Sequence, residues 1–330
     1  MKYLVIGCGS IGKRHTRNLV SLNVGEVTVV DTNKKRLDHL RNDLPVRTFS
    51  ELNEALEADS YEAAFICTPP SLHVQQAITL AGRDIHCFIE KPLSNDLEGI
   101  EELKKISESK NRTVFIGYTV RFFPLIRKIQ ELIADNAIGK VLFLKASIGY
   151  YLPYWRPHED YRKGYGANES LGGGIILDAS HEIDYARLFL GEVEEVSSVC
   201  RKLSSLEIDT EDYAEITMRH KNGAYSHIHL DYLQTNYRRS CEIVGDKGMI
   251  LWDINEGVLK QYGTKDKEYH VHYEGIGTNV NDLYLEETRH FFRCIAGEEE
   301  PLVGLNEGRR LQEIIMKIKE ASREGRTLRV

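Results

Sequence analysis

The sequence lacks an excess of positive charge, and it has no basic stripe. Its 330 residues include 43 lysines and arginines against 50 aspartates and glutamates, which gives a formal net charge of −7. Because nucleic acids and anionic membranes attract clustered positive charge, both kinds of partner are disfavoured. Repeats and low-complexity segments are also missing, while apolar residues make up 42% of the chain. We therefore expect a folded protein with a sizeable core.

Paired cysteine motifs and long apolar runs are missing as well. None of the six cysteines forms a C-x-x-C pair, so a structural zinc site and a thioredoxin-type redox site are poorly supported. Scattered cysteines in a chain of this size are typical of free thiols in a reducing compartment. The N-terminal residues resemble a strand rather than a signal peptide, and no apolar run reaches membrane length. We therefore expect a cytoplasmic protein.

The most informative motif of the sequence lies in its first 31 residues. They predict a strand, a glycine turn, a helix and a second strand that ends in an acid. In chain order these are Lys2–Ile6, the G-x-G-x-x-G turn Gly7–Gly12, Lys13–Leu22, Glu26–Val30 and Asp31. The acid follows the last glycine by nineteen residues, which is typical of dinucleotide-binding βαβ units.

Each part of this turn has a physical task if it binds a dinucleotide. Gly7 lets the backbone turn sharply, Gly9 lets a pyrophosphate approach the main chain, and Gly12 lets the helix pack on the strands. The N–H groups around Ser10 and Ile11, near the helix start, offer donors and a positive dipole end to the phosphates. The alternative is a tight structural turn that binds nothing.

The acid Asp31 favours NAD over NADP. Its carboxylate can accept hydrogen bonds from both ribose hydroxyls, and it repels a 2′-phosphate. Arg36 and the preceding Lys34 and Lys35 lie close behind it in the chain. The sequence is therefore compatible with some tolerance of NADP.

Strands and helices keep alternating as far as residue 118, which predicts about six parallel strands in a doubly wound α/β sheet. The predicted strands after Asp31 are Val46–Phe49, Ala63–Cys67, Ile85–Ile89 and Val114–Tyr118. The predicted helices are Lys34–Asn42, Glu51–Glu57 with Ser50 as its N-cap, His73–Ala81 and Leu97–Ser107.

Ligands of such sheets gather beyond the carboxyl ends of the strands, where two more polar stretches are predicted. In the first, Thr68 offers a hydroxyl to a ribose or an amide, Pro69 stiffens the loop, and His73 begins the next helix. In the second, Glu90 and Lys91 directly follow an apolar strand. A lysine there can hold a substrate oxygen beside the cofactor. A solvated lysine before a loop proline is the alternative.

From Arg121 onwards the pattern changes. A predicted helix, Ile126–Ala134, and a predicted strand, Lys140–Ile148, lead into a loop rich in aromatic and charged residues. Arginine forks grip hydroxyl, carboxylate or phosphate groups, and aromatic rings stack on sugar faces, so the loop suits a polar, ring-shaped ligand. Its members include Tyr150, Tyr151, Tyr154, Trp155, Arg156, His158, Tyr161, Arg162 and Tyr165. A surface loop anchored by its aromatic residues is the alternative.

A predicted helix over Ile175–Leu190 follows three glycines and ends before Gly191. It carries Asp178 and His181, which would share a face because they are three residues apart. A carboxylate that close can orient the imidazole and make it a competent proton acceptor. Alternatively, Asp178 caps the helix and His181 is a packed core residue.

The remaining sequence predicts an open, largely antiparallel sheet with helices on one face. The strands are Val193–Arg201, Tyr213–Arg219, Tyr225–Leu233, Arg238–Val244 and Met249–Asp253, and the helices are Asp282–Ala296 and Asn306–Glu324. In the third strand Tyr225, His227, His229 and Asp231 alternate onto one face, which suits a subunit interface or a solvated face better than a metal site. The predicted domains are 1–120 and 121–330.

Together these motifs resemble the Gfo/Idh/MocA oxidoreductases, the family of glucose–fructose oxidoreductase and inositol dehydrogenase. The resemblance spans nearly the full length of the chain. Its motifs are Gly7–Gly12 with His15, Thr68-Pro69 with His73, Glu90-Lys91-Pro92, Gly117–Pro124 with Arg121 and Phe122, and Gly172–Gly174 followed by Asp178, His181 and Asp184.

The resemblance implies an NAD(P)-binding Rossmann domain followed by an α+β domain for substrate binding and oligomerisation. Such enzymes oxidise a sugar or cyclitol hydroxyl, or reduce the matching ketone. Lys91 would hold the reacting oxygen, His181 would be the acid–base, and Asp178 would support it or contact the substrate. Arg121 and the aromatic loop would supply further substrate contacts. A homodimer or homotetramer through the open sheet is also implied.

Two positions differ from the usual family pattern. Asp178 and His181 are separated by three residues rather than four, and Thr119 stands where an asparagine is frequent. The stretch Trp155–Tyr165, together with Ser180-His181-Glu182, is similar to a subgroup found in bacterial surface-sugar biosynthesis.

Two other functions remain open. Some members of this family retain NAD and run an oxidation–elimination–reduction cycle, which gives net glycoside cleavage or lyase chemistry. A sensor that binds NAD without turnover is the other alternative, although the intact set of Lys91, Asp178 and His181 argues against it.

Overall fold

The computed structural model describes residues 1–265, 267–274 and 279–330. It divides into two compact units, Met1–Thr119 with Val280–Arg310, and Val120–Asn279 with Leu311–Val330. The first unit thus includes a late segment that a linear division at residue 120 leaves out. No helix in the described ranges combines the length and the apolar character needed to cross a membrane. All six cysteines are free thiols, and the cytoplasmic location inferred from them stays a prediction.

The first unit is built on a parallel sheet. Its strands are β1 Lys2–Ile6, β2 Glu26–Val30, β3 Arg47–Phe49, β4 Ala63–Ile66, β5 His86–Glu90 and β6 Val114–Gly117. They lie in the order β3-β2-β1-β4-β5-β6, and every neighbouring pair is parallel. Strands β4 and β5 are buried along their whole length, as expected for a sheet covered on both faces. The predicted doubly wound sheet is therefore confirmed.

Five helices connect these strands: α1 Ser10–Leu22, α2 Lys34–Asp43, α3 Leu52–Ala58, α4 Pro70–Gly82 and α5 Ile100–Lys110. Four predicted helix starts were wrong. Helix α1 begins at Ser10 rather than at Lys13, and α5 begins at Ile100 rather than at Leu97. Helix α3 begins after Glu51, which occupies the N-cap position that the sequence assigned to Ser50. Helix α4 begins at Pro70 rather than at His73, because a proline fits the first helical turn, where no N–H donor is needed.

The second unit contains helices α6 Pro124–Ala134, α7 Leu152–Trp155, α8 Ile175–Asp178 and α9 His181–Leu190. Its strands are β7 Val141–Gly149, β8 Val193–Arg201, β9 Tyr213–His220, β10 Tyr225–Asp231, β11 Arg238–Gly245, β12 Gly248–Asp253, β13 Val258–Gly263 and β14 Tyr269–Glu274. The chain ends with α10 Val280–Ile295, α11 Leu305–Glu324 and β15 Leu328–Arg329. Helix α10 belongs to the first unit, and so does α11 as far as Arg310.

The strands of the second unit form a mixed sheet in the order β14-β13-β12-β11-β7-β10-β9-β8-β15. Among the described strands of this second sheet, only β7 and β10 pair in parallel. The predicted open, largely antiparallel sheet is therefore confirmed, although β13, β14 and β15 were not predicted. Strand β10 alternates as expected, with Tyr225 and His227 exposed and Ile228 buried, but Asp231 is buried too.

One predicted helix was wrong in a way that matters for the site. The sequence predicted a continuous helix over Ile175–Leu190, whereas α8 ends at Asp178 and α9 begins at His181. The two residues therefore do not occupy positions i and i+3 of one helical face, so that argument for their pairing does not hold.

An aromatic cluster explains why α10 belongs to the first unit. Phe65, Phe88 and Phe115 lie in register on β4, β5 and β6, with ring centroids 4.9 and 5.1 Å apart between successive rings. Phe291 of α10 packs edge-on against Phe65 and Phe88 at 5.5 and 5.6 Å. All four rings are fully buried, and apolar burial of this size dominates core stability.

Candidate active site

The glycine turn leaves a gap where a dinucleotide would approach the main chain. A Cβ on Gly7, whose φ is +91°, would lie 2.6 Å from the Cys67 carbonyl oxygen, and a Cβ on Gly12 would overlap the Gly7 carbonyl oxygen. At Gly9, by contrast, a Cβ would meet no heavy atom within 4 Å. The fold itself therefore requires the first and third glycines, whereas the second leaves open space that suits a pyrophosphate.

The carboxylate of Asp31 is fixed beside this turn. It directly follows β2, and it accepts hydrogen bonds from the backbone N–H of Cys8 at 2.5 Å and of Asn33 at 2.7 Å. Arg36 lies 3.9 Å from the same carboxylate. An ionised carboxylate has about four acceptor positions, so Asp31 keeps acceptors for ribose hydroxyls. These residues fit NAD.

His73 joins the two polar stretches that follow β4 and β5. Its ring is buried, with Nδ1 2.9 Å from the Pro92 carbonyl oxygen and Nε2 2.8 Å from the Thr68 carbonyl oxygen. Burial lowers the pKa of His73. The Thr68 hydroxyl in turn donates to Gln76 at 2.7 Å, and Pro69 is the N-cap of α4. Direct contact of these residues with NAD stays a prediction.

Glu90 ties the strand of Lys91 to the helix of the glycine turn. Its Oε1 accepts a hydrogen bond from Nε2 of His15 at 2.7 Å, and both side chains are buried. His15 lies on α1 and packs against Phe88 at 5.0 Å. Lys91, partly exposed, follows β5 directly, two strands away from β1 and thus about 10 Å from the glycine turn at ordinary strand spacing.

In the second unit, three tyrosines hold the carboxylate of Asp178. The hydroxyl of Tyr150 donates at 2.5 Å, that of Tyr232 at 3.1 Å, and Tyr165 also donates to it. Burial and the charge of Asp178 raise the pKa of Tyr150 and of Tyr232 well above the ordinary value, so both hydroxyls stay protonated donors. The sequence reasoning missed this cluster, although it named Tyr150 and Tyr165 as members of the aromatic loop.

His181 begins α9, and the next residue anchors that helix. Glu182 is fully buried and accepts a hydrogen bond from Nε of Arg239 on β11 at 2.7 Å. Arg121 makes a two-pronged contact with Asp184 of the same helix, at 2.8 and 2.6 Å. The guanidinium of Arg121, which was expected to bind substrate, is thus paired with the Asp184 carboxylate. A role for Arg121 in substrate binding stays a prediction.

The aromatic loop exposes two rings. Tyr154 is 65% exposed, and Trp155 is 49% exposed with its ring 4.4 Å from that of Tyr150. Arg156 lies 3.7 Å from Glu159, and the Tyr161 hydroxyl accepts from the backbone N–H of Glu207 at 3.3 Å. The loop therefore presents stacking surfaces, and its contacts with a substrate stay predictions.

The histidines of β10 contact protein groups. His229 lies 2.6 Å from Glu215 and 2.8 Å from Asp231. The hydrogen bond with Asp231, followed by that with Glu215, raises the pKa of His229 to about 9 despite partial burial. A protonated imidazole does not bind metal, and the described part of the chain contains no cluster of three or more metal-ligating residues.

Three features define the first unit as an NAD-binding Rossmann domain. They are the strand order of its parallel sheet, the open glycine turn and the fixed acid after β2. The family model described as "Oxidoreductase family, NAD-binding Rossmann fold" matches residues 1–118, and that of the "GFO/IDH/MocA C-terminal domain" matches residues 126–251. The chain belongs to the Gfo/Idh/MocA family. It is an NAD-dependent oxidoreductase of the class that acts on CH–OH groups.

Similar proteins span nearly the whole chain. Myo-inositol 2-dehydrogenase of Thermotoga maritima is 28% identical over 94% of this chain and 92% of its own length. The scyllo-inositol 2-dehydrogenase (NAD(+)) of Bacillus subtilis is 28% identical over 91% and 87%. The structure of levoglucosan dehydrogenase with NADH and levoglucosan has a TM-score of 0.89 at 20% identity, and the match covers 100% of this chain and 99% of that one. At this identity the match shows a common fold.

The contrast between the glycines generates a prediction. Gly9→Ala should fold with an unchanged melting temperature, because its Cβ meets open space, yet NAD should bind at least about tenfold more weakly because the methyl group occupies the approach of the pyrophosphate. Calorimetric titration with NAD and a thermal melt measure both quantities.

The matched control is Gly82→Ala at the end of α4, where a Cβ also meets no neighbour. It should leave both NAD affinity and melting temperature unchanged. Gly12→Ala should instead lower the melting temperature, because its Cβ overlaps a backbone oxygen. A Gly9→Ala protein that binds NAD like the wild type would contradict the assignment of this gap to the pyrophosphate.

Proposed function

We propose that the protein transfers a hydride between C4 of the nicotinamide and a hydroxyl-bearing carbon of a sugar, a nucleotide sugar or a cyclitol. The observation that carries the proposal is the position of Lys91, directly beyond the carboxyl end of β5 in an NAD-binding sheet. The names of two relatives point to cyclitols, and that of a structural neighbour points to an anhydrosugar. The protein positions the reactants, and NAD supplies the hydride chemistry.

Lys91 is proposed to hold the reacting oxygen. As an ammonium group it would stabilise the negative charge that develops on that oxygen as the hydride leaves the neighbouring carbon. The hydrogen bond between Glu90 and His15 fixes the backbone just before it, which favours a defined position for its side chain.

His181 is proposed to accept the hydroxyl proton during oxidation and to return it during reduction. Asp178 is assigned a supporting role, because its oxygens accept hydrogen bonds from three tyrosine hydroxyls. Because its oxygens are engaged as acceptors, Asp178 is suited to orienting neighbouring hydrogen-bond donors.

A ligand screen tests the substrate class. With NAD present, a thermal-shift panel would cover cyclitols, free sugars and nucleotide sugars. A ligand at about 100 times its Kd should stabilise the protein by about 2.7 kcal/mol, which corresponds to several degrees. The ligand found should then produce NADH, measured by absorbance at 340 nm.

The same assay separates the alternatives. Turnover without accumulation of NADH would instead indicate oxidation–elimination–reduction with retained NAD. Neither a thermal shift nor turnover over the whole panel would contradict the proposal and favour an NAD-binding sensor.

Replacing Lys91 with methionine tests the mechanism. Lys91→Met should lower kcat by about a hundredfold to a thousandfold, because a charge stabiliser of the transition state is lost. Its NAD affinity should stay within about threefold, because the pyrophosphate and ribose contacts are kept. Steady-state kinetics and NAD titration measure the two effects separately.

The control for this variant is Lys110→Met, at the exposed end of α5, where the ammonium contacts Asp84 at 3.1 Å. It should change neither quantity. Wild-type turnover by Lys91→Met, within a few-fold, would remove Lys91 from the mechanism.

We also propose that copies of the chain associate through the outward face of the second unit's sheet. That face exposes Tyr225 and His227 on β10 and Val199 on β8.

Light scattering after gel filtration should give a multiple of 37.8 kDa. Tyr225→Glu should shift the population towards monomer, and Leu72→Glu, on an exposed position of α4, should not. A monomeric wild type at micromolar concentration would refute the association.

A further inference from the structure

The first unit buries two carboxylates that the proposed reaction does not use. Glu287, on α10, is fully buried, and its Oε2 accepts a hydrogen bond from the Thr119 hydroxyl at 2.8 Å. Its Oε1 has no hydrogen-bond partner in the part of the chain that the structure describes. Glu90, at the end of β5, is 7% exposed, and its charge acts on Glu287. Two buried anions in one site are strongly disfavoured.

The two carboxylates differ in their partners. Glu90 is bonded to the His15 ring, whereas the hydrogen-bond partner of Glu287 is a neutral hydroxyl. Burial raises the pKa of Glu287 well above its ordinary value, and the charge of Glu90 raises it further. Burial and the charge of Glu90 thus both favour the protonated form of Glu287.

The charged and titratable groups around this pair come from five elements. The charge of Glu90 acts on Cys67, directly after β4, and on His73 of α4. Arg14 and His15 lie on α1, with the guanidinium of Arg14 4.5 Å from the ring of Tyr284. Tyr284 lies one turn before Glu287 on α10, and burial raises its pKa as well. Glu90 and the following Lys91 come from β5. Glu287 makes no ion pair within the described residues, so no fixed cation offsets its ionisation.

The pair lies in the half of the sheet that takes the nicotinamide. In this strand order each half of the sheet binds one mononucleotide. Because Asp31, directly after β2, is expected to bind the adenosine ribose, the adenosine lies on the half formed by β1, β2 and β3. Glu90 ends β5, and Thr119 follows β6 by two residues. This step rests on the proposed function, in which the nicotinamide reacts beside Lys91.

We propose that Glu287 responds to the redox state of the bound nicotinamide, losing its proton to solvent when cationic NAD⁺ binds and keeping it when neutral NADH binds. The step forms the Glu287 carboxylate and one solvated proton, and no other bond changes. With the neutral, reduced nicotinamide bound instead, the Glu287 carboxylate would regain a proton from solvent. Glu287 is thus a positioning residue that acts through charge, and it favours NAD⁺ over NADH as pH rises.

The sign of the pH dependence follows from linkage. Because the NAD⁺ complex binds fewer protons than the free protein, NAD⁺ affinity increases with pH, by at most about tenfold per pH unit. The increase levels off above the pH at which free Glu287 ionises. The pyrophosphate and adenosine are common to both nucleotides, so the ratio of the NADH Kd to the NAD⁺ Kd isolates the nicotinamide charge.

Calorimetric titration of nucleotide-free protein tests the proposal. NAD⁺ and NADH are titrated from about pH 6 to pH 9, in buffers that differ in ionisation enthalpy, so that proton release is measured directly. The wild type should release up to one proton more per site with NAD⁺ than with NADH. Its Kd ratio should rise several-fold per pH unit within part of that range.

Two variants sharpen the test. Glu287→Gln, which has nearly the shape of a neutral acid, should bind both nucleotides with a Kd ratio independent of pH. Glu286→Gln, its neighbour on α10, removes a partly exposed carboxylate that pairs with Arg293 at 3.1 Å, and it should behave like the wild type.

Equal proton release for the two nucleotides in the wild type would overturn the proposal, whether or not Glu287→Gln folds. A pH-dependent ratio that persists in Glu287→Gln would overturn it too. Wild-type protein that binds neither nucleotide would instead refute the cofactor assignment on which the proposal rests.

Discussion

The hydrogen bond between His15 and Glu90 is the constraint on which the first unit's site depends. It joins the helix of the glycine turn to β5, the strand that Lys91 follows, across the neighbouring strand β4. Both groups are buried, so each needs the other to avoid an unsatisfied polar atom. The glycine turn and Lys91 are therefore held in a fixed relation to each other, which is the kind of preorganisation that the proposed hydride transfer requires.

A second set of buried polar contacts serves the other unit. The Asp178 carboxylate gathers Tyr150, Tyr165 and Tyr232, which come from the end of β7, a loop and the end of β10. Such a network is stable only when every member is satisfied. The helix is interrupted directly after Asp178, between α8 and α9. The helical spacing of Asp178 and His181 that the sequence predicted is therefore not formed, and the structure instead pairs Asp178 with tyrosines that are distant in sequence.

Features set by local chemistry were predictable from the sequence. The glycine turn, Asp31 and the alternation of strands and helices depend on steric and periodic rules that apply within about thirty residues, and the family model confirmed the NAD-binding class. Strands β13 and β14 were missed although each has six residues, as β12 does. In β14 the alternating Tyr269, Val271 and Tyr273 are exposed, so their pattern does not mark a core-facing side. Glu287 was missed because Glu286 and Glu287 are adjacent in a charged helix, and only the fold shows which of the two is buried.

The aromatic cluster has a consequence for how this chain can be divided. Phe291 packs against the rings of β4, β5 and β6, although it follows the nearest of them, Phe115, by 176 positions in the sequence. A fragment that stopped at residue 120 would expose this apolar aromatic surface to water. The nucleotide-binding unit is thus not contiguous in sequence. A recombinant protein that contains this unit must therefore also include α10.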